Sequence, residues 1–261
     1  MLSALLDLVL PPRCAGCGEP GALVCPLCLE EILREPAARP PDPPPPGLPE
    51  CWSATRYDGA ARRVLLAYKE RGRTALAPML SAILAEVAEA ALASRACREG
   101  GSPGPVALVP VPSARAASRR RGHDPVGVIA AGAAELLRRR GLPAVAAPVL
   151  RQGRRVADQA GLSSTQRAAN LREAFTVVRR RTGAAGPSGS RAATVLLVDD
   201  IVTTGATLAE AARAVRETGA EVPLAITVAA TARRREKDRG RRGEKDRLPR
   251  SDTPGRRRSR R

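Results

Sequence analysis

The sequence predicts an α/β fold in which helices flank a parallel β-sheet. Short apolar runs typical of buried strands alternate along the chain with stretches of helical periodicity. The strand candidates are Val106–Val111, Ala144–Leu150, Thr194–Val198 and Leu224–Ala229, and the clearest helices are Leu76–Cys97 and Val126–Arg140. Because such alternation is typical of βαβ units, the loops that follow the strands should share one edge of the sheet, where open α/β folds bind ligands.

Composition divides the 261-residue chain into four predicted segments. Residues 51–231 carry the periodic pattern and form the sheet domain, while residues 1–35 hold two cysteine pairs that predict a zinc-knuckle module. Residues 36–50 are proline-rich and should form a semi-rigid linker. Residues 232–261 form a basic tail that carries 15 Lys/Arg and 5 Asp/Glu, or +10 of the net charge of +18. We expect this tail to be disordered, as a nucleic-acid-binding extension or a merely solubilising one.

The sequence also gives an expectation for location. No uninterrupted apolar run reaches the roughly 18 residues that a membrane span needs, so we expect no transmembrane helix. Residues 1–10 lack a basic start and are interrupted by Asp7, which favours a short packing helix over a signal peptide. We therefore expect a cytoplasmic protein.

The most informative stretch is residues 195–207, Val-Leu-Leu-Val-Asp-Asp-Ile-Val-Thr-Thr-Gly-Ala-Thr. It predicts a buried strand, a pair of carboxylates at Asp199 and Asp200, and a small-residue loop over 203–207 that leads into a helix. Unpaired N–H groups at a helix N-terminus attract anions, and Gly205 allows close approach of the backbone. Two carboxylates beside a phosphate suit sugar hydroxyls or a divalent cation. Together these features indicate a phosphorylated ribose as ligand.

Two alternatives bear on this stretch. It is not a Walker A loop, because no Gly-Lys-Ser/Thr follows the glycine. The other alternative is structural: a buried strand followed by an ordinary helix, with Asp199 and Asp200 acting only as caps.

The N-terminal cysteines form two Cys-x-x-Cys pairs separated by seven residues. In a reducing compartment this spacing favours a structural Zn²⁺ over disulfides, with one metal held by Cys14, Cys17, Cys25 and Cys28. Redox-active cysteines or two disulfides are the alternatives. Cys51 and Cys97 have no such partners in the sequence.

Residues 195–207 resemble, position for position, the phosphoribosyl-diphosphate (PRPP) motif of the type I phosphoribosyltransferases. The resemblance implies that Asp199 and Asp200 are catalytic residues that contact ribose hydroxyls. It also implies that the 5′-phosphate of PRPP is held by the motif loop and that Mg²⁺ accompanies the ligand. The loop residues concerned are Thr203, Thr204, Gly205, Ala206 and Thr207.

Further residues are candidates for holding the pyrophosphate of PRPP. Ser113 and Arg115 follow the Val-Pro-Val-Pro that ends the first clear strand, and Arg121 ends a run of three arginines. A simple strand terminator and an exposed basic turn are the alternatives for these two stretches. Lys69 is one of only three lysines among 44 basic residues, which suggests that a compact point charge is needed there.

Residues 1–230 as a whole resemble the ComF family. The resemblance rests on the leucine-rich start, the two cysteine pairs, Tyr57-Asp58-Gly59 with Arg62 and Lys69, Pro-Val-Pro, and the PRPP motif. The chain departs from the family at 121–125, where Arg-Gly-His-Asp-Pro stands in place of Arg-Gly-Phe-Asn-Gln. The resemblance implies phosphoribosyl transfer to an unknown acceptor. As the alternative it implies a non-catalytic role in DNA uptake, with single-stranded DNA and a helicase-type protein as partners.

Overall fold

The computed structural model of the protein describes residues 12–101, 104–112, 124–152, 173–178 and 193–231. The chain divides into two units, 1–231 and 232–261, and every described residue belongs to the first. The helices are α1 (Pro26–Ile32), α2 (Gly59–Lys69), α3 (Ala77–Glu99), α4 (Pro125–Arg139) and α5 (Ala206–Arg216), and a 3₁₀ turn spans Thr74–Leu76.

Six strands form the main sheet in the order β1-β2-β8-β7-β3-β4. Their bounds are β1 (Ala37–Ala38), β2 (Glu50–Arg56), β3 (Val106–Pro110), β4 (Ala144–Ala146), β7 (Thr194–Val202) and β8 (Leu224–Ala230). All neighbouring pairs are parallel except β1 and β2. A separate antiparallel pair joins β5 (Leu150–Gln152) to β6 (Phe175–Val177). The predicted α/β class with a mostly parallel sheet is therefore confirmed.

Helices cover both faces of the sheet, as the alternation of buried side chains in its central strands requires. Leu196 and Val198 of β7 belong to the core shared with α2, α3 and α4, whereas Leu197 belongs to the core shared with α5. The carboxyl ends of β7, β8 and β3 consequently meet at one edge between these two layers.

The proline-rich segment contributes to this packing. Ala37 and Ala38 pair with β2 as the edge strand, and Arg39 N–H donates to the Cys51 carbonyl at 2.8 Å. Pro41 and Pro49 are buried, so this segment packs against the sheet domain at several points.

Two of the predicted strands differ clearly in extent from the observed ones. The predicted strand Ala144–Leu150 is divided into β4 and β5, because Pro148 has no N–H to donate to a ladder. The β7 strand runs on to Val202, four residues beyond the predicted end at Val198, because its ladder with β8 pairs Asp199 with Thr227 and Ile201 with Ala229.

Helix α3 is a core helix. The stretch Thr74–Glu99 is long and apolar enough to cross a membrane by length and composition. However, Leu80, Ile83 and Leu84 are fully buried against the sheet and α4, so this helix does not indicate a membrane span.

Tyr68 connects α2 to α4 inside this core. Its side chain is 1% exposed, and its hydroxyl donates to the carbonyl of Pro125, the first residue of α4, at 2.9 Å. Burial, followed by the nearby carboxylates Asp124 and Asp200, raises the pKa of Tyr68 to about 12. The phenol therefore stays neutral at physiological pH and donates a hydrogen bond to the first residue of α4.

We predict that Tyr68→Phe lowers the free energy of unfolding by about 1 kcal/mol, because one buried hydrogen bond is lost without a change of shape. Urea denaturation with an unchanged m-value is the measurement. Tyr57→Phe is the matched control, since the described part of the chain shows no hydrogen bond from the Tyr57 hydroxyl. Equal stability of Tyr68→Phe and the parent protein would contradict the prediction.

Candidate functional site: the carboxyl edge of the sheet

The two motif carboxylates lie near the carboxyl end of strand β7 and differ in their surroundings. Asp200 is 4% exposed, whereas Asp199 is partly exposed. A carboxylate oxygen of Asp199, Oδ1, accepts the backbone N–H of Asp200 at 2.8 Å. The pair thus lies at the edge predicted to bind the ligand.

Asp200 forms an ion pair with Lys69, the last residue of α2. The Nζ atom of Lys69 lies 2.8 Å from Oδ2 and 3.1 Å from Oδ1 of Asp200. The Asp200 side chain is 5% exposed and that of Lys69 is 30% exposed, so solvent screens this pair only in part. The structure therefore brings together two predicted site residues that lie 131 positions apart.

The pKa of Asp199 is raised well above its usual value. Although the residue keeps some exposed surface, burial of its carboxyl group among protein atoms is the largest cause. The carboxylate of Asp200 is the second cause, while the Lys69 ammonium acts in the opposite direction. Two adjacent carboxyl groups in different environments are a common arrangement at functional sites. A cation, or hydroxyl groups that donate hydrogen bonds to Asp199, would stabilise the charged form of this carboxyl group.

The motif loop leads into the N-terminus of α5 as predicted. Gly205 is the N-cap residue with φ +75°, and the first turn of α5 contains no acidic side chain. Thr204 Oγ1 lies 3.5 Å from the N–H of Ala206, and Thr203 is exposed. The loop therefore offers backbone N–H groups and hydroxyls to an anion without a competing carboxylate in that turn.

Gly205 is also required by packing. A Cβ at this position would lie 2.9 Å from Cγ of Pro41 and 3.1 Å from Cδ1 of Leu48. The proline-rich segment thus supports the motif loop from behind. The interpretation that Asp199 and Asp200 only cap α5 does not agree with this geometry, since Gly205 is the cap and Asp200 contacts Lys69.

Strand β3, which precedes the predicted pyrophosphate-binding residues Ser113 and Arg115, ends beside the carboxylates. The N–H of Val111 donates to the carbonyl of Val198 at 2.9 Å, so the chain leaves β3 next to Asp199. The predicted pyrophosphate residues Ser113, Arg115 and Arg121 lie outside the described residues.

The four N-terminal cysteines are clustered. The sulfur atoms of Cys14, Cys17, Cys25 and Cys28 all lie within 4.8 Å of one another, and those of Cys17 and Cys25 are 3.6 Å apart. Tetrahedral Zn²⁺ with Zn–S bonds of about 2.3 Å requires sulfurs roughly 3.8 Å apart. All four are free thiols in the structure, so the cluster can hold zinc as predicted.

Backbone hydrogen bonds stabilise a thiolate in this cluster. Burial disfavours the charged form of Cys14, but N–H donors of Cys17, Cys25 and Gly16 outweigh it and lower the pKa of this thiol to about 6. Two of these donors, Cys25 and Gly16, lie 3.2 and 3.3 Å from its sulfur. Burial, followed by contacts with the other cysteines, raises the pKa of Cys28. A cation in the cluster would be needed to make all four thiols ligands.

Residues 132–246 match the family model of the phosphoribosyl transferase domain. The match starts within α4 and includes β7, the motif loop and α5, and it leaves out the cysteine cluster, α2 and β3. No curated protein matches the chain. The family match supports a phosphoribosyltransferase-like protein, and such a domain implies a ribose phosphate as ligand.

Sequence reasoning missed the helix that completes the site. The periodicity of Ala60, Ala61, Val64, Leu65 and Tyr68, all buried in α2, was available as a signal. Strand β2 was harder to find, because small residues such as Ser53 and Ala54 fill its buried positions.

We predict that Asp199→Asn stabilises the unliganded protein at neutral pH. The raised pKa means that the folded state holds this proton to higher pH than the unfolded chain, so stability is lost as pH rises from about 4 through the folded pKa. An asparagine stays neutral and removes this loss, which we expect to be on the order of 1 kcal/mol at pH 7.5 and near zero at pH 3.5. Thermal unfolding across this range measures it, and a difference independent of pH would contradict it.

We predict one tightly bound Zn²⁺ per chain, since the four sulfurs already have near-tetrahedral spacing. Elemental analysis of protein purified without added metal is the measurement. Cys14→Ser should lower the zinc content severalfold, and Cys97→Ser, an exposed cysteine outside the cluster, should not change it. Zinc near zero in the parent protein would disprove the assignment.

Proposed function

We propose that the protein binds PRPP with Mg²⁺ at the carboxyl edge of the sheet and transfers the phosphoribosyl group to an acceptor. The observation that carries this proposal is the position of Asp199 and Asp200 directly before the N-terminus of α5. In this proposal the carboxylates that accept the ribose hydroxyls and the backbone that binds the phosphate belong to one chain segment, residues 199–207.

The donor set at this edge suits Mg²⁺. This ion prefers oxygen ligands and typically uses one or two carboxylates together with substrate phosphates. Asp199 is the better candidate, because Asp200 is already neutralised by Lys69. When bound, Mg²⁺ would neutralise negative charge on the pyrophosphate group.

The residues of the chain have separate tasks in the proposed reaction. The backbone of 203–207 binds the 5′-phosphate, and Asp199 and Asp200 accept hydrogen bonds from the ribose hydroxyls. As the bond from C1 to pyrophosphate breaks and the acceptor forms its bond to C1, positive charge develops on the ribose. Fixed carboxylates stabilise that charge without reorganisation. Lys69, paired with Asp200, contributes a fixed positive charge to the edge from which the pyrophosphate departs.

ComF membership, which the family match does not reach, remains part of the proposal. It is supported by the cysteine pairs, by Tyr57-Asp58-Gly59 and by Lys69, which the structure brings to the motif. The DNA-uptake alternative is supported by the +10 charge of the tail, which would bind phosphates in a strongly salt-dependent manner.

We predict that the double variant Asp199→Asn, Asp200→Asn loses PRPP binding at least about 100-fold, since both ribose-binding carboxylates are neutralised. Isothermal titration with PRPP and Mg²⁺ measures this, and pyrophosphate release against a panel of bases and amines then identifies the acceptor. Glu217→Gln, which changes an exposed carboxylate at the other end of α5, should bind as the parent does. Undiminished binding by the double variant would remove the phosphoribosyl assignment of this edge.

A further inference from the structure

Helix α2 contacts both the cysteine cluster and the carboxylate pair. Its first turn lies against the cysteine module, and its last residue, Lys69, holds Asp200. Its 11 residues span roughly 16 Å. Because such a short helix moves as one body, a displacement of its first turn also displaces Lys69 at its other end.

The N-terminus of α2 is capped by the cysteine module rather than by its own N-cap residue. Asp58 occupies the N-cap position but makes no side-chain capping bond. Instead, Glu31 of α1 accepts the N–H of Ala60 through Oε1 at 2.9 Å. A carboxylate here also interacts favourably with the helix dipole.

Gly59 makes room for this external cap. It has φ +42°, and a Cβ at this position would overlap Oε1 of Glu31. The glycine of the Tyr57-Asp58-Gly59 sequence is therefore explained by the approach of Glu31.

Two arginines add further contacts from α2 and the turn after it to the first cysteine pair. Arg63 Nε donates to the carbonyl of Gly16, and an Nη of Arg73 donates to the carbonyl of Arg13 at 2.7 Å. Gly16 stands between Cys14 and Cys17 and packs so tightly that a Cβ would lie 2.6 Å from the Cys28 sulfur. The positions of these carbonyls thus depend on the geometry of the cysteine cluster.

The metal is what would fix that geometry. Residues 12–35, the described part of the module, contain one seven-residue helix and few buried side chains, among them Cys14, Cys28 and Ile32. Small modules of this kind obtain their folding free energy from the metal. Glu31 follows Cys28 by three residues on α1, so it moves with that ligand.

We propose that metal occupancy of the cysteine cluster positions Lys69 against Asp200. Two positioning residues connect the module to α2: Glu31 from the module and Arg63 from the helix. The cysteine module then controls the affinity of the carboxyl edge for its ligand. This last consequence rests on the proposed function, whereas the positioning of Lys69 does not.

Nuclear magnetic resonance of the Lys69 side chain provides a direct readout in the full-length protein. The chain contains three lysines, so ¹⁵N-lysine labelling gives three ammonium signals, and Lys69→Met assigns the relevant one. Asp200→Asn gives the reference position for an ammonium without its carboxylate. Spectra are recorded for zinc-loaded protein, for chelator-treated protein and for variants of the contact.

Glu31→Ala and chelation should both move the Lys69 signal toward its Asp200→Asn position. Glu31→Gln, which keeps an oxygen acceptor for the Ala60 N–H, should restore it. Glu30→Ala changes the neighbouring exposed carboxylate of α1 and should leave it unmoved. Hydrogen exchange of β7 verifies that each sample is folded. A Lys69 signal that stays at its parent position in folded Glu31→Ala, or in folded chelator-treated protein, would overturn the proposal.

Titration with PRPP and Mg²⁺ tests the functional consequence separately. We expect Glu31→Ala to weaken binding by about fivefold or more, with Glu30→Ala unchanged. If the parent protein does not bind PRPP, the proposed function fails. The Lys69 signal still tests whether the cysteine module positions Lys69 against Asp200. If the signal moves but PRPP affinity does not, the control of the ligand site is overturned.

Discussion

The ion pair between Lys69 and Asp200 is the contact on which the site depends. It joins the end of α2 to the end of β7, and it neutralises one of two adjacent carboxyl groups in a poorly solvated place. Without Lys69, two like charges would lie side by side, and the pKa of Asp199, already raised, would rise further. Breaking a buried pair by removing one partner is far more costly than the pair's net contribution to stability. The phosphoribosyltransferase-like edge therefore needs α2, although the family match begins downstream of it.

The position of α2 depends in turn on segments that look peripheral in the sequence. Glu31 caps the helix from the cysteine module, and Tyr68 ties its last turn to α4. The proline-rich segment supports the other half of the site, because Pro41 and Leu48 pack against Gly205. The cysteine module thus contacts α2, and the proline-rich segment contacts the motif loop. In the proposal made above, changes at the N-terminal module therefore alter the carboxyl edge of the sheet.

Much of this arrangement could be predicted from the sequence, and the reasons are local. An apolar run, two aspartates, a glycine loop and an amphipathic helix adjoin one another at 195–216, so the succession of β7, a short loop and α5 could be predicted from spacing alone. The cysteine cluster followed from its pairs in the same way. The approach of Lys69 to Asp200 spans 131 residues and has no local signal beyond the rarity of lysine. Glu31 was not predictable, because one exposed glutamate on a short helix resembles any other. The division of Ala144–Leu150 could have been anticipated from Pro148, whereas the continuation of β7 to Val202 depends on its neighbour β8.

A double-mutant cycle tests the central claim most directly. Lys69→Met, Asp200→Asn and the double variant are compared with the parent by chemical denaturation. We expect each single change to destabilise the protein, and the double variant to be more stable than the sum of the single effects implies, by about 1 kcal/mol or more. Additive effects of the two changes would show that Lys69 and Asp200 act independently, and would contradict the view that their ion pair holds the carboxyl edge together.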